Sequence, residues 1–337
     1  CTAACGTPPP LPYMVRMLRL PLCALVLSLV AGAAFSVQAQ ELTAPEERER
    51  LSGSFELQNV RLRGMAGAFA GGGSGTGAVY SNPAGIVTAA IYAFEVSYQH
   101  ELESDGNAIG VTLVDSKTNG ALAAGMGYSF GFSPGESGGA NDNVRDHDLR
   151  AVLAVPLIPQ SLAIGVGGHY YIRSRGQVPV VDGENLEISQ RGLSFDVGIM
   201  AVPAEVLTIG IVARNLLTVD NMMDVRRGVG AGVGIYAGNL HIEAEYIGEY
   251  LASRRDGEGN QLSEGVWGSG AAVGLEYVAN TVPIRLGYRN DAHDDQNGLV
   301  AVGLGVRSPT FGADIAFEQS LDDTSNRTFS LSFAGFF

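Results

Sequence analysis

The stretch Arg63–Val87, RGMAGAFAGGGSGTGAVYSNPAGIV, decides how the rest of the chain is interpreted. It consists mainly of glycine and alanine, and no charged residue follows Arg63 until Glu95. Glycine has no side-chain bulk and tolerates positive φ, so such a backbone can pack closely against another surface. The stretch therefore predicts either a flexible glycine-rich linker or a small-residue segment packed inside a larger structure.

The packed segment is favoured by apolar residues and by a defined end. Asn82-Pro83-Ala84-Gly85 terminates the glycine run, because Pro83 fixes its own φ and disfavours a helical Asn82, whereas Gly85 permits a turn. A solvated linker would not need the apolar side chains of Met65, Phe69, Val79, Tyr80 and Ile86. We therefore predict that this stretch is enclosed by other parts of the chain.

The residues before this stretch have the three parts of a secretory signal peptide. Residues 1–13 precede the first methionine and are interpreted as a misplaced start, with Met14 or Met17 as the initiator. Basic residues then precede the apolar run 20–34, and small residues precede Gln40. The alternative is a membrane-anchoring helix, for which the run is short. The predicted domains are a start extension with signal peptide at 1–39, a leader and lumen plug at 40–88, and a transmembrane barrel at 89–337.

Composition excludes several classes of function. The chain has 21 basic and 35 acidic residues, a net charge of −14, which argues against a nucleic-acid partner. All three cysteines precede Gln40, so the chain beyond that point has no disulfide, thiolate nucleophile or cysteine metal site. Only 17% of residues are charged and 46 are glycine, which without long apolar helices indicates a sheet with alternating faces.

That alternation runs from Ala90 to the end of the chain. In 283–289, for example, Leu286 and Tyr288 share one face, whereas Arg285 and Arg289 share the other. About fourteen such runs occur, each near the nine to eleven residues that a membrane-crossing strand needs. Short connections are predicted at 201–205, 237–239 and 279–283, and long polar loops at 133–145, 176–190, 254–265 and 290–297.

Two folds can produce this pattern. A soluble β-sandwich would bury its apolar face and expose the other. Here the apolar face carries aromatic residues near strand ends, and the opposite face is mostly small or polar, as in a membrane barrel. Closure into a barrel also removes edges that lipid does not tolerate. We therefore predict an all-β transmembrane antiparallel β-barrel of about 14 strands, with the N-terminal plug segment inside its lumen.

The segment and the barrel together resemble the FadL superfamily of outer-membrane proteins, which includes TodX-like aromatic-hydrocarbon channels and PorV/PorQ-like barrels. The resemblance rests on GMAGAF at 64–69 and AVYSNPAGI at 78–86, directly before the barrel. It implies that an N-terminal plug folds back into a fourteen-stranded barrel in the bacterial outer membrane. The plug-motif residues that it implies are Gly64, Met65, Gly67, Phe69, Tyr80, Asn82, Pro83 and Gly85.

Two functions follow from this resemblance. The first is passive uptake of hydrophobic small molecules, such as long-chain fatty acids or aromatic hydrocarbons, without a cofactor. The second is a PorV/PorQ-like barrel that docks a periplasmic or surface protein without transporting a solute, which the short chain and the charged leader at 41–54 favour. A general diffusion porin is the third choice. Outer-membrane lipid and the barrel assembly machinery are the further expected partners.

Residues of catalysis and metal binding do not form a recognisable pattern. His100, His147 and His293 are predicted in acidic loops, and His169 and His241 on the inward face. None has ligand spacing to another histidine, and no serine lies in a nucleophile elbow. An acidic loop at 291–295 could bind Ca²⁺, but a solvated loop is the simpler interpretation. We predict no catalytic residues, no metal and no cofactor.

A series of inward-facing charges is more informative. The predicted lumen charges are Glu243, Glu245, Glu276, Arg285 and Arg289, and Glu249 lies on the same strand as the first two. They could line a polar path, but we favour pairing between neighbouring strands or with the plug, because charges buried without a partner are costly.

The last strand carries the predicted assembly signal. Phe333 and Phe337 lie on its apolar face, and a terminal strand that ends in phenylalanine resembles the signal that outer-membrane barrels present to their assembly machinery.

We therefore expect deletion of Phe336 and Phe337 to impair membrane assembly. The measurement is the folded fraction of the truncated protein in outer-membrane preparations, assayed by heat-modifiable migration. Insertion as efficient as that of the full chain would show that this interpretation of the last strand is wrong.

Overall fold

A computed structural model describes residues 59–134, 143–179, 185–216, 227–251, 266–291 and 298–337. In these ranges fourteen antiparallel strands pair with their sequence neighbours, and β1 pairs with β14 to close the barrel. The predicted all-β barrel is therefore confirmed. The predicted signal peptide at 1–39 and the leader up to residue 58 lie outside the described residues, and the domain boundaries stay predictions.

The strands are regular and have few residues between them at one end of the barrel. In chain order they are β1 Tyr92–Glu101, β2 Gly106–Asp115, β3 Ala123–Ser133, β4 Val144–Ile158, β5 Leu162–Pro179, β6 Asn185–Ala204, β7 Leu207–Arg214, β8 Arg227–Ala237, β9 Leu240–Leu251, β10 Val266–Ala279, β11 Val282–Asp291, β12 Leu299–Arg307, β13 Phe311–Ser320 and β14 Arg327–Phe336. The short connections at 205–206, 238–239 and 280–281 all lie at the end where β1 begins and β14 finishes. Short turns at one end are typical of outer-membrane barrels.

Side chains alternate between the two faces of the wall as the sequence predicts. On β11, Leu286 is 54% exposed on the outer face, whereas Arg285 is fully buried on the inner face. Large apolar residues face outward on every strand from β1 to β14, for example Tyr98, Val166 and Phe329. Among the described residues, no helix has both the length and the apolar character that a membrane crossing requires.

The strands β4 to β6 are longer than the sequence predicts. Residues 176–190 were expected to form a loop, but β5 continues to Pro179 and β6 begins at Asn185, with Val178 opposite Leu186. A polar strand that projects beyond a membrane needs no apolar face, so polarity alone could not separate it from a loop. For the same reason His100 and His147, which were expected in loops, lie on β1 and β4. His293 lies outside the described residues.

Residues Asn59–Thr88, here called the N-terminal segment, contain three short helical turns and no strand. They are helix α1 at Val60–Arg63 and two 3₁₀ helices at Gly75–Val79 and Pro83–Thr88. The first and the third of these begin where an asparagine side chain accepts from backbone N–H groups: Asn59 from Arg61 and Leu62, and Asn82 from Ala84. Repeated glycine prevents longer helices, and the segment ends three residues before β1.

The outward position of Leu286 gives a test of the strand register. If β11 crosses a bilayer, Leu286→Arg should destabilise the protein by about 2–4 kcal/mol, because a guanidinium group near mid-membrane loses its hydration. The matched control is Leu286→Val, which keeps an apolar side chain and should cost under about 1.5 kcal/mol. Unfolding in phospholipid vesicles measures both. Equal effects of the two substitutions would contradict the proposed lipid-facing side of β11.

Candidate functional site

The candidate site is the contact between the N-terminal segment and the inner wall of the barrel. The backbones come close enough to exclude side chains at several points. A Cβ atom on Gly71 would lie 2.5 Å from the carbonyl carbon of Gly232 on β8, and one on Gly64 would lie 3.2 Å from Cα of Gly303 on β12. Glycine on both partners is what allows this approach.

Two buried carboxylates on β9 hold the middle of the segment. Glu245 accepts hydrogen bonds from the backbone N–H groups of Phe69 at 2.8 Å and Ala70 at 2.9 Å. Glu243 accepts from the next two, Gly71 at 2.6 Å and Gly72 at 2.9 Å. The carboxylates therefore satisfy four consecutive backbone donors that have no helix or strand to satisfy them.

Asn82 joins two parts of the segment to the wall. Its amide nitrogen donates to the carbonyl of Ala70 at 2.9 Å and to the carbonyl of Ile199 on β6 at 3.2 Å. Its amide oxygen accepts from Ala84 N–H at 3.1 Å, and the side chain is fully buried. The wall residue beneath it is Gly198, where any Cβ atom would overlap the amide oxygen.

A third carboxylate holds the start of the segment. Glu95 on β1 accepts from the amide nitrogen of Asn59 at 2.9 and 3.1 Å and from the hydroxyl of Thr76 at 2.6 Å. Both donors belong to the N-terminal segment, and all three residues are buried. This contact could not be predicted from the sequence, because the partners of Glu95 are distant from it in the chain.

Charged residues form a ladder from the segment across three strands. Arg61 donates to both oxygens of Glu276 on β10, at 3.0 and 2.7 Å. Arg285 on β11 donates to the same carboxylate at 2.6 Å and to Asp314 on β13 at 2.6 Å. Arg285 is fully buried, and such a group is tolerated only when it is paired.

Further ion pairs on the inner wall involve the remaining predicted lumen charge, Arg289, and residues of α1 and β7. Arg289 lies 3.8 Å from Glu249, and Arg63 of α1 forms an ion pair with Glu318 on β13. Glu245 is also 3.1 Å from Arg214 of β7. The structure thus brings all five predicted lumen charges to the inner wall.

The predicted plug-motif residues pack at the core of this contact. Met65 and Phe69 are fully buried and cluster with Leu62, and the Arg61 guanidinium lies 4.8 Å from the Phe69 ring centroid. Gly67 has φ of +80°, a conformation that favours glycine. Tyr80 OH lies 2.7 Å from Thr112 Oγ1 on β2.

Pro83 and Gly85 also lie against other backbone. A Cβ on Gly165 of β5 would overlap the carbonyl carbon of Pro83, and one on Gly85 would overlap the carbonyl oxygen of Gly73. The role of these residues as a plug stays a prediction.

The wall opposite the segment is also closely packed at Gly287 of β11. From strand alternation alone, Gly287 would be an inward residue at which Gly287→Ser is mild. However, a Cβ atom there would overlap the backbone of Met65 and Ala66. The inward face is occupied by the N-terminal segment rather than open, and this could not be seen from the strand pattern alone.

A polar cluster on β4, β5 and β6 was not predicted as a group. His169 forms a hydrogen bond with Asp196, and Tyr171 OH lies 2.9 Å from the other ring nitrogen of His169. Asp148 accepts from Arg150 at 2.6 Å. Alternate spacing along each strand could have signalled a shared face, but the pairing between strands requires the register. Within the described ranges, no group of three or more His, Cys, Asp or Glu side chains could hold a metal ion.

The comparisons with known proteins concern the fold. No protein-family model and no curated protein matches the chain. Among solved structures, a Pseudomonas aeruginosa FadL homologue is 13% identical, with 83% of this chain and 97% of that chain covered and a TM-score of 0.55. The CymD monoaromatic hydrocarbon channel is 12% identical, with 83% of this chain and 98% of that chain covered and a TM-score of 0.61. The Ralstonia pickettii toluene transporter TbuX is 13% identical, with 83% of this chain and 97% of that chain covered and a TM-score of 0.58. The chain therefore has a FadL-like barrel, and the predicted resemblance is confirmed at the level of fold.

The contacts of Asn82 predict a specific effect of its isosteric replacement. Asn82→Asp keeps the acceptor for Ala84 N–H but removes the donor to the Ala70 and Ile199 carbonyls. Each buried acceptor left without a partner costs about 1–3 kcal/mol. We expect faster trypsin cleavage at Arg61 or Arg63, with the barrel still folded.

The matched control is Asn107→Asp on β2, whose side chain bonds at the outer surface to Tyr98 OH. It should leave the trypsin cleavage rate unchanged. Unaltered cleavage in Asn82→Asp would contradict an anchoring role for Asn82.

Proposed function

We propose that this protein is a bacterial outer-membrane channel for the passive uptake of hydrophobic small molecules, such as long-chain fatty acids or aromatic hydrocarbons. The observation that carries the proposal is the combination of a closed FadL-like barrel and an N-terminal segment that packs against its inner wall. The solved structures of similar fold are a FadL homologue, a monoaromatic hydrocarbon channel and a toluene transporter.

Placement in a membrane is supported by the outer surface of the barrel. Large apolar side chains are exposed there on every strand, and extended apolar surface of this kind marks contact with a membrane or a partner. Aromatic residues such as Tyr92, Trp267 and Phe311 lie near strand ends, where a lipid interface favours them. The predicted signal peptide would direct the chain across the inner membrane.

The inner surface suggests how passage is controlled. Apolar side chains of the wall lie beneath the N-terminal segment: Val114 and Val152 contact a cluster with Val79 and Ile86, and Ile247 packs on Ala68. Elsewhere the described inward side chains are mostly small or polar. A hydrophobic solute would therefore find apolar surface chiefly where the segment now lies. We infer that rearrangement of the segment accompanies passage.

The other candidate functions have less support. Docking of a periplasmic or surface protein stays a prediction, since the similar structures named above are channels and transporters. A general diffusion porin needs an open aqueous lumen, whereas the segment contacts the wall on strands around the barrel. Catalysis has no motif in its favour, and the similar folds are transport proteins.

The substitution Gly72→Phe tests the transport proposal. A Cβ atom on Gly72 would lie 2.5 Å from Glu243 Oε2 and 2.6 Å from His241 Nε2, so a phenyl ring cannot be accommodated without moving the segment. Overpacking of this kind typically costs about 1–3 kcal/mol. We expect uptake of a labelled fatty acid or toluene into proteoliposomes to rise in Gly72→Phe, and to rise further when residues 64–80 are deleted.

The matched control is Gly120→Phe, because a Cβ atom at Gly120 has no heavy atom within 4 Å. It should leave uptake at the wild-type rate. Transport would be refuted, and docking favoured, if wild type, Gly72→Phe and the deletion all form folded barrels but take up no more solute than empty liposomes do. A selective rise in sugar uptake would favour a porin.

A further inference from the structure

The outer surface of the barrel carries a basic and aromatic patch that solute transport does not require. It is formed by strands β3 to β6 at the end opposite the short turns. Its members, here called the β3–β6 patch, are Phe130, Phe132, Arg145, His147, Tyr170 and Arg191. Arg145 and Arg191 are exposed, and both lie on outward-facing positions of their strands.

The register places the basic residues of the patch side by side. His147 of β4 is opposite Ile172 of β5, which is opposite Arg191 of β6. Two strand spacings separate His147 from Arg191, or roughly 10 Å. Arg145 is the next outward residue on β4 above His147. Three basic side chains therefore surround a single isoleucine on the outer wall.

The patch lies where the apolar outer surface ends. Tyr170 lies at the lower edge of the patch, in one outward row with Leu149 and Leu193, and all three are exposed and apolar or aromatic. From Ile158 at the short-turn end, β4 needs about eleven residues to cross a bilayer, which brings it to His147. In a membrane, the patch would meet the headgroups of the outer leaflet.

Neighbouring acidic residues do not neutralise the patch. Asp146 and Asp148 alternate with the basic residues on β4 and therefore face inward, where they pair with Arg173 and Arg150. In the described part of the chain, neither Arg145 nor Arg191 forms an ion pair. The protein has a net charge of −14, yet this part of its outer wall is basic.

Aromatic contacts fix the position of the histidine. The ring nitrogen Nδ1 of His147 lies 2.9 Å from Tyr128 OH. The centroid of the His147 ring is 5.0 Å from the centroid of the Phe130 ring. Phe130 in turn stacks on Phe132, with centroids 6.2 Å apart. These contacts hold the His147 ring on the same surface as the two arginines.

We propose that the β3–β6 patch binds a phosphorylated glycolipid of the outer leaflet. Guanidinium groups bind phosphate oxygens in a bidentate manner, and both arginines are exposed and form no ion pair with the side chains that the structure describes. The acyl chains would lie along Leu149, Leu193 and the outer wall below, and the aromatic residues suit the interface between chains and headgroups. The inference rests on the outer-membrane placement proposed above, but not on the transport of any solute.

Lipid retention by the purified, folded full chain tests this proposal. The probes are diphosphorylated lipid A and the same lipid after enzymatic removal of its phosphates, titrated in detergent and followed by native mass spectrometry. We expect wild type to retain the phosphorylated form preferentially. In the double variant Arg145→Gln/Arg191→Gln, the Kd for that form should rise about tenfold or more, in line with the loss of two cationic contacts.

The matched control is Arg327→Gln, which removes an exposed outward arginine from β14, four strands away from β4 around the barrel. It should leave the Kd unchanged. Equal retention of both lipid forms by wild type, or a wild-type Kd in the double variant, would overturn the proposal. An equal loss in Arg327→Gln would show diffuse charge attraction and would also overturn it.

A separate measurement distinguishes this proposal from the transport function. In liposomes of phosphatidylcholine alone, the double variant should take up the hydrophobic solute at the wild-type rate. Lost uptake there with normal folding would place the two arginines in the transport route and contradict a purely lipid-binding role.

Discussion

Hydrogen bonding between buried carboxylates and the backbone of the N-terminal segment is the constraint on which the interior depends. Peptide groups from Phe69 to Gly72 belong to no helix or strand, and buried N–H groups without acceptors are costly. Glu243 and Glu245 supply those acceptors from a strand of the wall. The same hydrogen bonds also satisfy the two inward carboxyl groups, which would lack donors if apolar side chains lay beside them.

The abundance of glycine follows from this arrangement. Carboxylates can reach backbone N–H groups only if the segment lies within hydrogen-bond distance of the wall, and side chains between the two would prevent it. Hence glycine occurs on both sides of the contact, as at Gly71 and Gly232. Asn82 then fixes the path at the turn, since one amide side chain satisfies groups on the segment and on β6. The glycine content, the strand register and the polar residues of the wall are thus all required by the close contact between the segment and the wall.

The sequence predicted the barrel well because alternation on a membrane strand is a local property. Leu286 and Arg285 could be assigned to opposite faces from their spacing alone, and the closed fourteen-strand architecture agrees. Contacts between distant residues were less accessible. Inward carboxylates could be predicted from alternation, but the hydrogen bonds of Glu95 with Asn59 and Thr76 could not, because they depend on the path of the N-terminal segment against the wall. The polar ends of β5 and β6 were missed, since strands outside a membrane need no apolar alternation.

The N-terminal segment acts on the wall much as water does on the polar lining of an open pore. It donates to the carboxylates of Glu243, Glu245 and Glu95, and its Arg61 neutralises Glu276. Without it, these groups would need solvent in its place, and acidic residues on neighbouring strands would repel one another across a hydrated lumen. We therefore expect a barrel without the segment to have an interior that attracts cations, because the acidic groups of its wall would lose these donors.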